Sequence, residues 1–458
     1  MSTRYPLPYL GLGLTANLDG LAPPDPWALN AQRPGLFDFA EYSAPLRHDP
    51  SLWKGREGLP VLFHPVHLNL WGPELESPEA LADLDAQAKL VGSPWVGNDV
   101  GWWHARGEAI PGYLYVAPPL DAQGLDEATL HARHVQRHLS VPLALENPAV
   151  IAVRGGMHVL DFMAELSDRT GAPLLIDLGH LLSHQLARGG DLRSGFDGFP
   201  FERVIELHLA GGVVTWTGAR RGVYVDDHTQ AVREELHALL EEVVPRCTNL
   251  RAVTFEGDGH PEPIAARTLQ RLRALVPPPS PDRPSIDWPI TANEGSAPAS
   301  APEPALSHRL FAESWGRLPC DEDPTGAAAE LDFRLAVLAQ TLERSFPLSR
   351  LLLAGTREGL ADFARSDAFI GCFTDPERSR TVLRAFASWG REQLRERSDP
   401  AAEAVLALET AGMRARLEEA HFAARALRRH LVGRAWATGA LELEALEGLR
   451  QVIARTVR

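Results

Sequence analysis

The segment 173–212 carries two short β-rich runs, PLLIDLGH at 173–180 and VIELHLAGG at 204–212, and these decide the fold. Similar runs recur on both sides, and stretches with helical spacing, such as SPEALADLDAQAKLV at 77–91 and HVLDFMAELSDRTG at 158–171, lie between them. Eight strands alternating with helices predict a (β/α)₈ TIM-type barrel, an α/β fold. The other six runs are YLGLGL at 9–14, VLFHPVHL at 61–68, WVGND at 95–99, PLALEN at 142–147, GVYVDD at 222–227 and AVTFEGDG at 252–259.

An open, doubly wound sheet is the structural alternative. It calls for a glycine-rich phosphate loop after the first strand, and LGLGLTAN at 10–17 lacks the third glycine of that motif.

A composition shift divides the chain. Residues 276–307 are rich in Pro, Ser and Ala without apolar periodicity, which predicts a linker. We therefore expect a metal-binding barrel at 1–275, a linker at 276–307 and a smaller all-α domain at 308–458, where every apolar stretch has helical spacing.

Charge and cysteine content narrow the function. A formal net charge of -15 argues against a protein that coats nucleic acid, because such proteins present excess Lys and Arg to phosphates. Three widely spaced cysteines exclude a disulfide framework and a thiolate zinc knuckle. With no signal peptide or membrane span evident in the sequence, we expect a cytoplasmic protein that engages neither nucleic acid nor membrane.

Nearly every predicted strand of the barrel ends on an acidic residue or a histidine. Strand ends converge on one mouth of a barrel, so these side chains become neighbours. So many buried carboxylates call for a cation, and carboxylates with imidazoles suit iron, manganese or zinc, with two or three ions for this many ligands. The candidates are His64, Asp99, Glu146, Asp177, His208, Asp226, His228 and Glu256.

Residues two apart on a strand face the same side. This rule directs Asp226 and His228 inward while Asp227 turns away, and it pairs Glu206 with His208. Asp258 and His260 are expected in a glycine-rich loop.

For the histidines, purely structural roles are the alternative to metal binding. A single histidine such as His64 or His208 is more often a buried, hydrogen-bonded residue than a metal ligand. The helical spacing of His131, His134 and His138 predicts a solvated helix face.

These motifs resemble those of the multinuclear non-haem iron-dependent oxidases that mature ribosomally made peptides, such as the methanobactin oxazolone-forming enzymes. The resemblance runs from about residue 9 to 263, and IELHLAGG is its most specific element. Two positions depart from it: Asn98 and Asp99 stand where the family has an Asp-His pair, and the Asp177 element ends in His180 instead of asparagine. The other matching elements are HPVHLNLWG with His64, LALENP with Glu146 and Asn147, VDDH with Asp226 and His228, and TFEGD with Glu256.

The resemblance implies an O₂-using oxidase with two or three iron ions, mixed Fe²⁺ and Fe³⁺, acting on a precursor peptide, most simply at a cysteine. It adds His180 to the metal ligands and gives Asn147 and Glu206 supporting roles. Related systems use a separate partner to hold the precursor, so the helical domain is interpreted as a fused recognition module. Its stretch 414–434, rich in Arg, could attract an acidic leader peptide, although nearby acids make an ordinary solvated helix equally consistent.

Two other functions stay open. A xylose-isomerase-like barrel, either a sugar isomerase or epimerase or a phosphodiester endonuclease, uses the same ligand types with divalent metals as Lewis acids and without O₂. A barrel retired from catalysis and serving as a scaffold is the third hypothesis, which the retained carboxylates at the strand ends disfavour.

Overall fold

The computed structural model describes residues 2–17, 24–45, 56, 58–111, 115–216, 222–226, 228, 230–257, 259–291, 304–376, 381–397 and 399–417. Asp227, Asp258 and most of the stretch 414–434 therefore lie outside the described residues. The strands are β1 (Ser2–Leu7), β2 (Gly11–Asn17), β3 (Phe39–Pro45), β4 (Val61–Val66), β5 (Val96–Asp99), β6 (His104–Ala105), β7 (Glu108–Ala109), β8 (Leu143–Glu146), β9 (Leu174–Asp177), β10 (Val204–Ala210), β11 (Val213–Trp216), β12 (Gly222–Val225), β13 (Ala252–Glu256) and β14 (Ile286–Thr291).

Helices follow most barrel strands and continue through the C-terminal region. Many begin and end at residues that satisfy the helix termini: Ser77 accepts a hydrogen bond from the Ala80 amide, and Gly92 ends the same helix at a φ of 69°. The helices are α1 (Pro26–Gln32), α2 (Pro78–Val91), α3 (Ala122–Gln136), α4 (Val159–Thr170), α5 (Leu178–Arg188), α6 (Glu234–Val243), α7 (Glu262–Arg273), α8 (Pro304–Ser314), α9 (Pro324–Glu343), α10 (Pro347–Ala354), α11 (Arg357–Arg365), α12 (Asp367–Thr374), α13 (Val382–Arg397) and α14 (Pro400–Leu417).

Eight parallel strands close into a barrel in the order β10-β13-β2-β3-β4-β5-β8-β9. The short apolar runs are strands because helices cover their outer faces while the barrel interior covers the other, so β5, β8, β9 and β13 are buried throughout. The predicted barrel, followed by a helical region, is confirmed.

One predicted barrel strand is wrong. GVYV at 222–225 pairs antiparallel with β11 in a two-stranded hairpin outside the barrel. The eighth barrel strand is β3, FAEYSAP, which lies between β2 and β4. The hairpin has the stronger β pattern, but closure depends on pairing between distant segments, which a run of residues does not reveal.

The N-terminal end of the barrel is filled by an apolar cluster. β1 and β14 form an antiparallel ribbon, and Trp288 and Ile290 of β14 belong to this cluster together with Phe39 and Trp95. The indole N–H of Trp288 also donates to the Gly171 carbonyl at 3.0 Å. Part of the predicted 276–307 linker is therefore structured: residues 286–291 are a strand of the barrel unit.

The compact units also differ from the predicted boundary. The barrel unit comprises Met1–His104, Tyr115–Leu310 and Cys320–Glu330. Within it, Asp323 accepts a hydrogen bond from the Val153 amide at 2.9 Å, and Arg154 pairs with Glu330 at 3.0 Å, both side chains buried. Residues 320–330 thus hold the loop after β8, beyond the position where the sequence places the helical domain.

The second unit comprises Ala105–Leu114, Phe311–Pro319 and Leu331–Arg458. Its helices pack around aromatic side chains, and the Phe363 ring lies 5.1 Å from Phe386 and 5.3 Å from Trp389. Such aromatic contacts add to the burial of apolar surface that stabilises the unit. Within the described part of the chain, no helix combines the length and apolar character that a bilayer crossing requires.

Candidate metal centre

The C-terminal ends of the barrel strands bring ligand-type side chains to one mouth. Asp99, Glu146, Asp177 and Glu256 are the last residues of their strands, and β5 pairs with β8 so that Asp99 lies opposite Glu146. His64 and His208 lie further back on β4 and β10. The structure thus brings the sequence-predicted side chains of the barrel strands to one place.

A deep group surrounds His208, which is fully buried. Its Nε2 lies 3.1 Å from Glu41 Oε2, and its Nδ1 lies 3.5 Å from Glu146 Oε1. His64 approaches the same carboxylates, with Nε2 3.5 Å from Glu146 Oε2 and Nδ1 3.6 Å from Glu41 Oε1. Two imidazoles and two carboxylates therefore share one small space.

An outer group surrounds Asp226. Its Oδ2 lies 3.1 Å from His228 Nε2 and 3.3 Å from His180 Nε2, and His228 Nε2 is 3.8 Å from Glu256 Oε2. The His228 side chain keeps 26% of its surface exposed, whereas His208 is inaccessible. The outer group is therefore the part of the site nearest to solvent.

Two of these residues are not positioned as the sequence suggested. His228 follows β12 with a φ of 58°, so the alternation of side chains along a strand does not direct it. His180 lies in the first turn of α5, where Asp177 caps the helix by accepting the His180 amide at 2.6 Å. A left-handed backbone at a histidine is an uncommon conformation that often marks functional positions.

Sequence reasoning missed Glu41, because its strand was not recognised. Glu41 is buried on β3 and lies in contact with both His64 and His208. Five overlapping groups of three residues place ligand atoms within 4.8 Å of one another: Glu41, His64 and His208; His64, Asp99 and Glu146; Glu146, Asp177 and His208; Asp177, His180 and Asp226; and Asp226, His228 and Glu256.

Burial puts these carboxyl groups under electrostatic stress. Desolvation raises the pKa of Glu41 to about 8 and that of Asp177 to about 7, although His208 and His180 respectively oppose the shift. Burial and the neighbouring Asp99 raise the pKa of Glu146 well above its usual range. Without a cation, part of the cluster would have to be protonated at neutral pH.

The histidines respond to the same charges. Burial would lower the pKa of His208, but the surrounding carboxylates, Glu41 first, raise it well above its usual range. Burial also lowers the pKa of His180, but the nearby carboxylates Asp177 and Asp226 have the larger effect and raise it well above its usual range. Burial and the neighbouring His208 lower the pKa of His64 to about 4, so His64 is a neutral imidazole at neutral pH.

The donor set fits a metal ion. Several buried side-chain atoms in the cluster make no hydrogen bond of acceptable geometry within the described part of the chain, which is unfavourable unless another species satisfies them. They are carboxylate oxygens and imidazole nitrogens, the ligands that iron, manganese and zinc accept. These atoms are Glu41 Oε1, His64 Nδ1, Glu146 Oε2, Asp177 Oδ2, Asp226 Oδ1 and both ring nitrogens of His208.

Asn147 holds two candidate ligands in place. Its side chain accepts a hydrogen bond from the Asp177 amide at 2.8 Å and donates to the Asp177 carbonyl at 3.1 Å. The Asn147 carbonyl lies 2.9 Å from His180 Nδ1, so Nδ1–H donates and Nε2 keeps its lone pair for a ligand role.

Glu206, two residues before His208 on β10, contacts the deep group. Its Oε2 accepts from the indole N–H of Trp95 at 2.7 Å, and its Oε1 lies 3.4 Å from His208 Nε2. The Thr254 hydroxyl donates its one hydrogen to Glu41 and lies 3.3 Å from Glu206 Oε1. This buried layer limits the positions that His208 and Glu41 can adopt.

The predicted solvated histidine face is wrong for His131. His131 is buried, and its two ring nitrogens lie 3.2 Å from the Asn69 carbonyl and 3.1 Å from the Gly72 carbonyl. His134 is partly buried and contacts the Glu76 carbonyl, while His138 is exposed as expected. α3 therefore packs against the loop after β4. His260 lies in the loop between β13 and α7, as expected, and its ring is buried against Phe255.

Fold and site together define a TIM-type barrel whose C-terminal mouth carries clusters of carboxylate and imidazole side chains that fit a metal site. The chain belongs to the family of RiPP precursor modification enzymes MbnB/TglH/ChrH, whose model matches residues 41–274. The family resemblance seen in the sequence is confirmed.

Relatives include a UPF0276 protein of Streptomyces avermitilis, 30% identical over 45% of this chain and 43% of the relative. A UPF0276 protein of Caulobacter vibrioides is 28% identical over 56% of this chain and 89% of the relative. The match thus spans less than half of the Streptomyces protein but most of the Caulobacter one.

Among solved structures, a xylose isomerase domain protein from Planctomyces limnophilus matches with a TM-score of 0.39 and 14% identity, covering 58% of this chain and 97% of that one. Endonuclease IV from Thermus thermophilus matches with a TM-score of 0.36 and 20% identity, covering 58% and 98%. At this similarity they say nothing about the reaction.

Proposed function

We propose that this chain is a multinuclear iron-dependent oxidase that uses O₂ to modify a ribosomally made precursor peptide, most simply at a cysteine. The observation that carries the proposal is the cluster of buried carboxylates and imidazoles at the barrel mouth, in a chain of a RiPP-modifying family. The cytoplasm, where thiols stay reduced, is the compartment that suits such a substrate.

The five overlapping ligand groups are the basis for two or three iron ions. His64, Glu146 and His208 each belong to two of these groups. A carboxylate shared in this way can bind two ions. The metal ligands of the proposal are His64, Asp99, Glu146, Asp177, His180, His208, Asp226, His228 and Glu256, with Glu41 as an addition.

Depth assigns different tasks to the two groups. The deep residues His208 and Glu41 are inaccessible and lie against Glu206, so they would hold a metal ion away from water. The outer residues Asp226 and His228 lie where a peptide side chain can approach, since His228 is partly exposed. When bound there, iron would supply the redox chemistry that couples the peptide to O₂.

The surrounding protein groups also favour one tautomer of His180 and particular oxidation states of bound iron. The Asn147 carbonyl keeps the proton of His180 on Nδ1 and directs Nε2 toward Asp226. Mixed Fe²⁺ and Fe³⁺ suits a ligand set rich in carboxylates, because anionic oxygen ligands favour the ferric state while imidazoles accept the ferrous one.

The helical unit is the proposed recognition module for the precursor peptide, alone or with a leader-binding partner. The support is that it forms a compact unit of its own in a chain whose family modifies precursor peptides.

The test is co-expression with each short Cys-containing reading frame that sequencing of the gene's neighbourhood finds, followed by mass spectrometry of the peptide and metal analysis of the protein. We expect iron with ferric absorption, a peptide mass change that needs O₂, and loss of that change in His228→Ala but not in the exposed control His138→Ala. Colourless zinc or manganese protein with an unmodified peptide would contradict the proposal.

A further inference from the structure

Tyr115 reaches the candidate metal centre from a loop, and the family motifs quoted above do not include it. Its hydroxyl donates to Asp99 Oδ1 at 3.0 Å and accepts from the Ala149 amide at 2.6 Å. Asp99 ends β5, and Ala149 follows the Glu146–Asn147 segment at the end of β8. One hydroxyl therefore ties together two loops that carry candidate ligands.

The direction of these bonds is fixed. A backbone N–H can only donate, so the bond from Ala149 takes a lone pair of the Tyr115 hydroxyl and leaves its one hydrogen for Asp99. A hydroxyl that donates to a carboxylate forms a strong, charge-assisted bond.

The Tyr115 ring is held as firmly as its hydroxyl. It lies 4.5 Å from the Trp103 ring, and a Cβ on Gly101 would come within 2.3 Å of its Cδ2, so only glycine allows this approach. Next to it, Trp102 and Val116 exchange backbone hydrogen bonds at 2.9 and 3.0 Å. The hydroxyl therefore has little freedom to leave Asp99.

We propose that Tyr115 is a positioning residue that makes Asp99 a ligand through one oxygen only. Oδ1 accepts the phenol hydrogen and lies 3.4 Å from His180 Nδ1, whose own hydrogen goes to the Asn147 carbonyl. Oδ2 lies 4.0 Å from His64 Nε2, in the group formed by His64, Asp99 and Glu146. The inference rests on the metal centre of the proposed function but not on iron, O₂ or a peptide.

Removing the hydroxyl alone tests this role. Tyr115→Phe keeps the ring against Gly101 and Trp103 but frees Asp99 Oδ1, which can then bind the same ion or rotate away. Loss of such a supporting bond typically weakens metal affinity by about 10- to 100-fold. We expect that loss for one class of Co²⁺ sites in a titration of the metal-free protein, with a changed visible Co²⁺ spectrum.

Tyr9→Phe is the matched control. Its hydroxyl donates to the Pro277 carbonyl at 2.9 Å, at the opposite end of the barrel, so Co²⁺ affinity and spectrum should match wild type. The inference would be overturned if Tyr115→Phe matched wild type in Co²⁺ affinity and spectrum. It would also be overturned if Tyr115→Phe and Tyr9→Phe lost the same Co²⁺ affinity. Wild-type protein that binds no Co²⁺ would instead refute the metal centre.

A second measurement leaves Tyr115 intact in case Tyr115→Phe does not fold. Zn²⁺ binding to Asp99 should perturb the hydrogen-bonded phenol and give a tyrosine difference absorption in the near ultraviolet. We expect that difference in wild type and its loss in Asp99→Asn. The same difference in both proteins would show that Tyr115 does not sense the ligand, which would also overturn the inference.

Discussion

Removing metal should make the stability of the barrel fall as pH rises. Glu41 has a pKa of about 8 in the folded protein against an ordinary 4.5, and Asp177 about 7 against 3.8. The folded metal-free protein therefore binds more protons than the unfolded chain between these values. Their stability contribution is fully present below the unfolded pKa and is lost as pH rises through the folded one. The raised pKa values of His180 and His208 act in the same direction above pH 6.5, the ordinary histidine value.

The contributions of Glu41 and Asp177 can be given in size, whereas His64, with its pKa lowered to about 4, acts in the opposite direction below pH 6.5. Between about pH 6 and about pH 8, ionising Glu41 removes about 2 kcal/mol of stability and ionising Asp177 about 1 kcal/mol, so the sum is about 3 kcal/mol. Both side chains are buried, so solvent screens them little. A bound metal reverses the trend, because it requires the deprotonated ligands and binds more tightly as pH rises.

Urea unfolding of chelator-treated and metal-reconstituted protein at both pH values measures this difference. Glu41→Gln, which replaces the ionisable group with a neutral one of the same shape, should remove the larger share of the pH dependence in the metal-free protein. Two results would contradict the predicted pH dependence: a metal-free barrel as stable at pH 8 as at pH 6, or an unchanged dependence of the unfolding free energy on pH in Glu41→Gln.

Three further predictions concern single residues. His208→Ala should lower the bound metal count, since His208 serves two ligand groups, while His138→Ala, an exposed control, should not; metal analysis decides. Asp99→Ala should remove one metal, whereas a residue that only caps a loop would cost about 1 kcal/mol of stability and leave the metal count unchanged. Trp288→Ala should destabilise the barrel by about 3–5 kcal/mol in urea unfolding, because the indole fills the apolar cluster at the barrel base, and a loss under 1 kcal/mol would show that β14 is an accessory.

Local sequence patterns predicted much of the barrel, and the elements that they did not predict have physical reasons. Short apolar runs ending in Asp177 or Glu146 are strands because helices cover one face and the interior the other, which a run of residues displays. β14 contains Pro289 and follows a Pro-rich segment, so it resembles a linker, and only its ribbon with β1 shows where Trp288 packs.

The candidate site was predictable where a ligand ends a strongly apolar run. Glu41 was not, because its strand FAEYSAP has polar residues at alternate positions and ends in proline, so it shows no continuous apolar run. The alternating FDFAEY pattern at 37–42 was the available signal. Tyr115 lies in a loop, and its contact with Asp99 is set by a fold that brings loops together, which no local pattern encodes. His131 has ordinary helical spacing, and only the packing of α3 shows that its face is covered.

Metal content and the Mössbauer spectrum of protein reconstituted anaerobically with ⁵⁷Fe²⁺ and then exposed to O₂ decide whether the barrel mouth holds a multinuclear iron site. We expect about two or three iron ions per chain, partly converted to the ferric state, for which the carboxylates and imidazoles of the barrel mouth would be the ligands. One ion or none per chain after careful reconstitution would contradict this expectation.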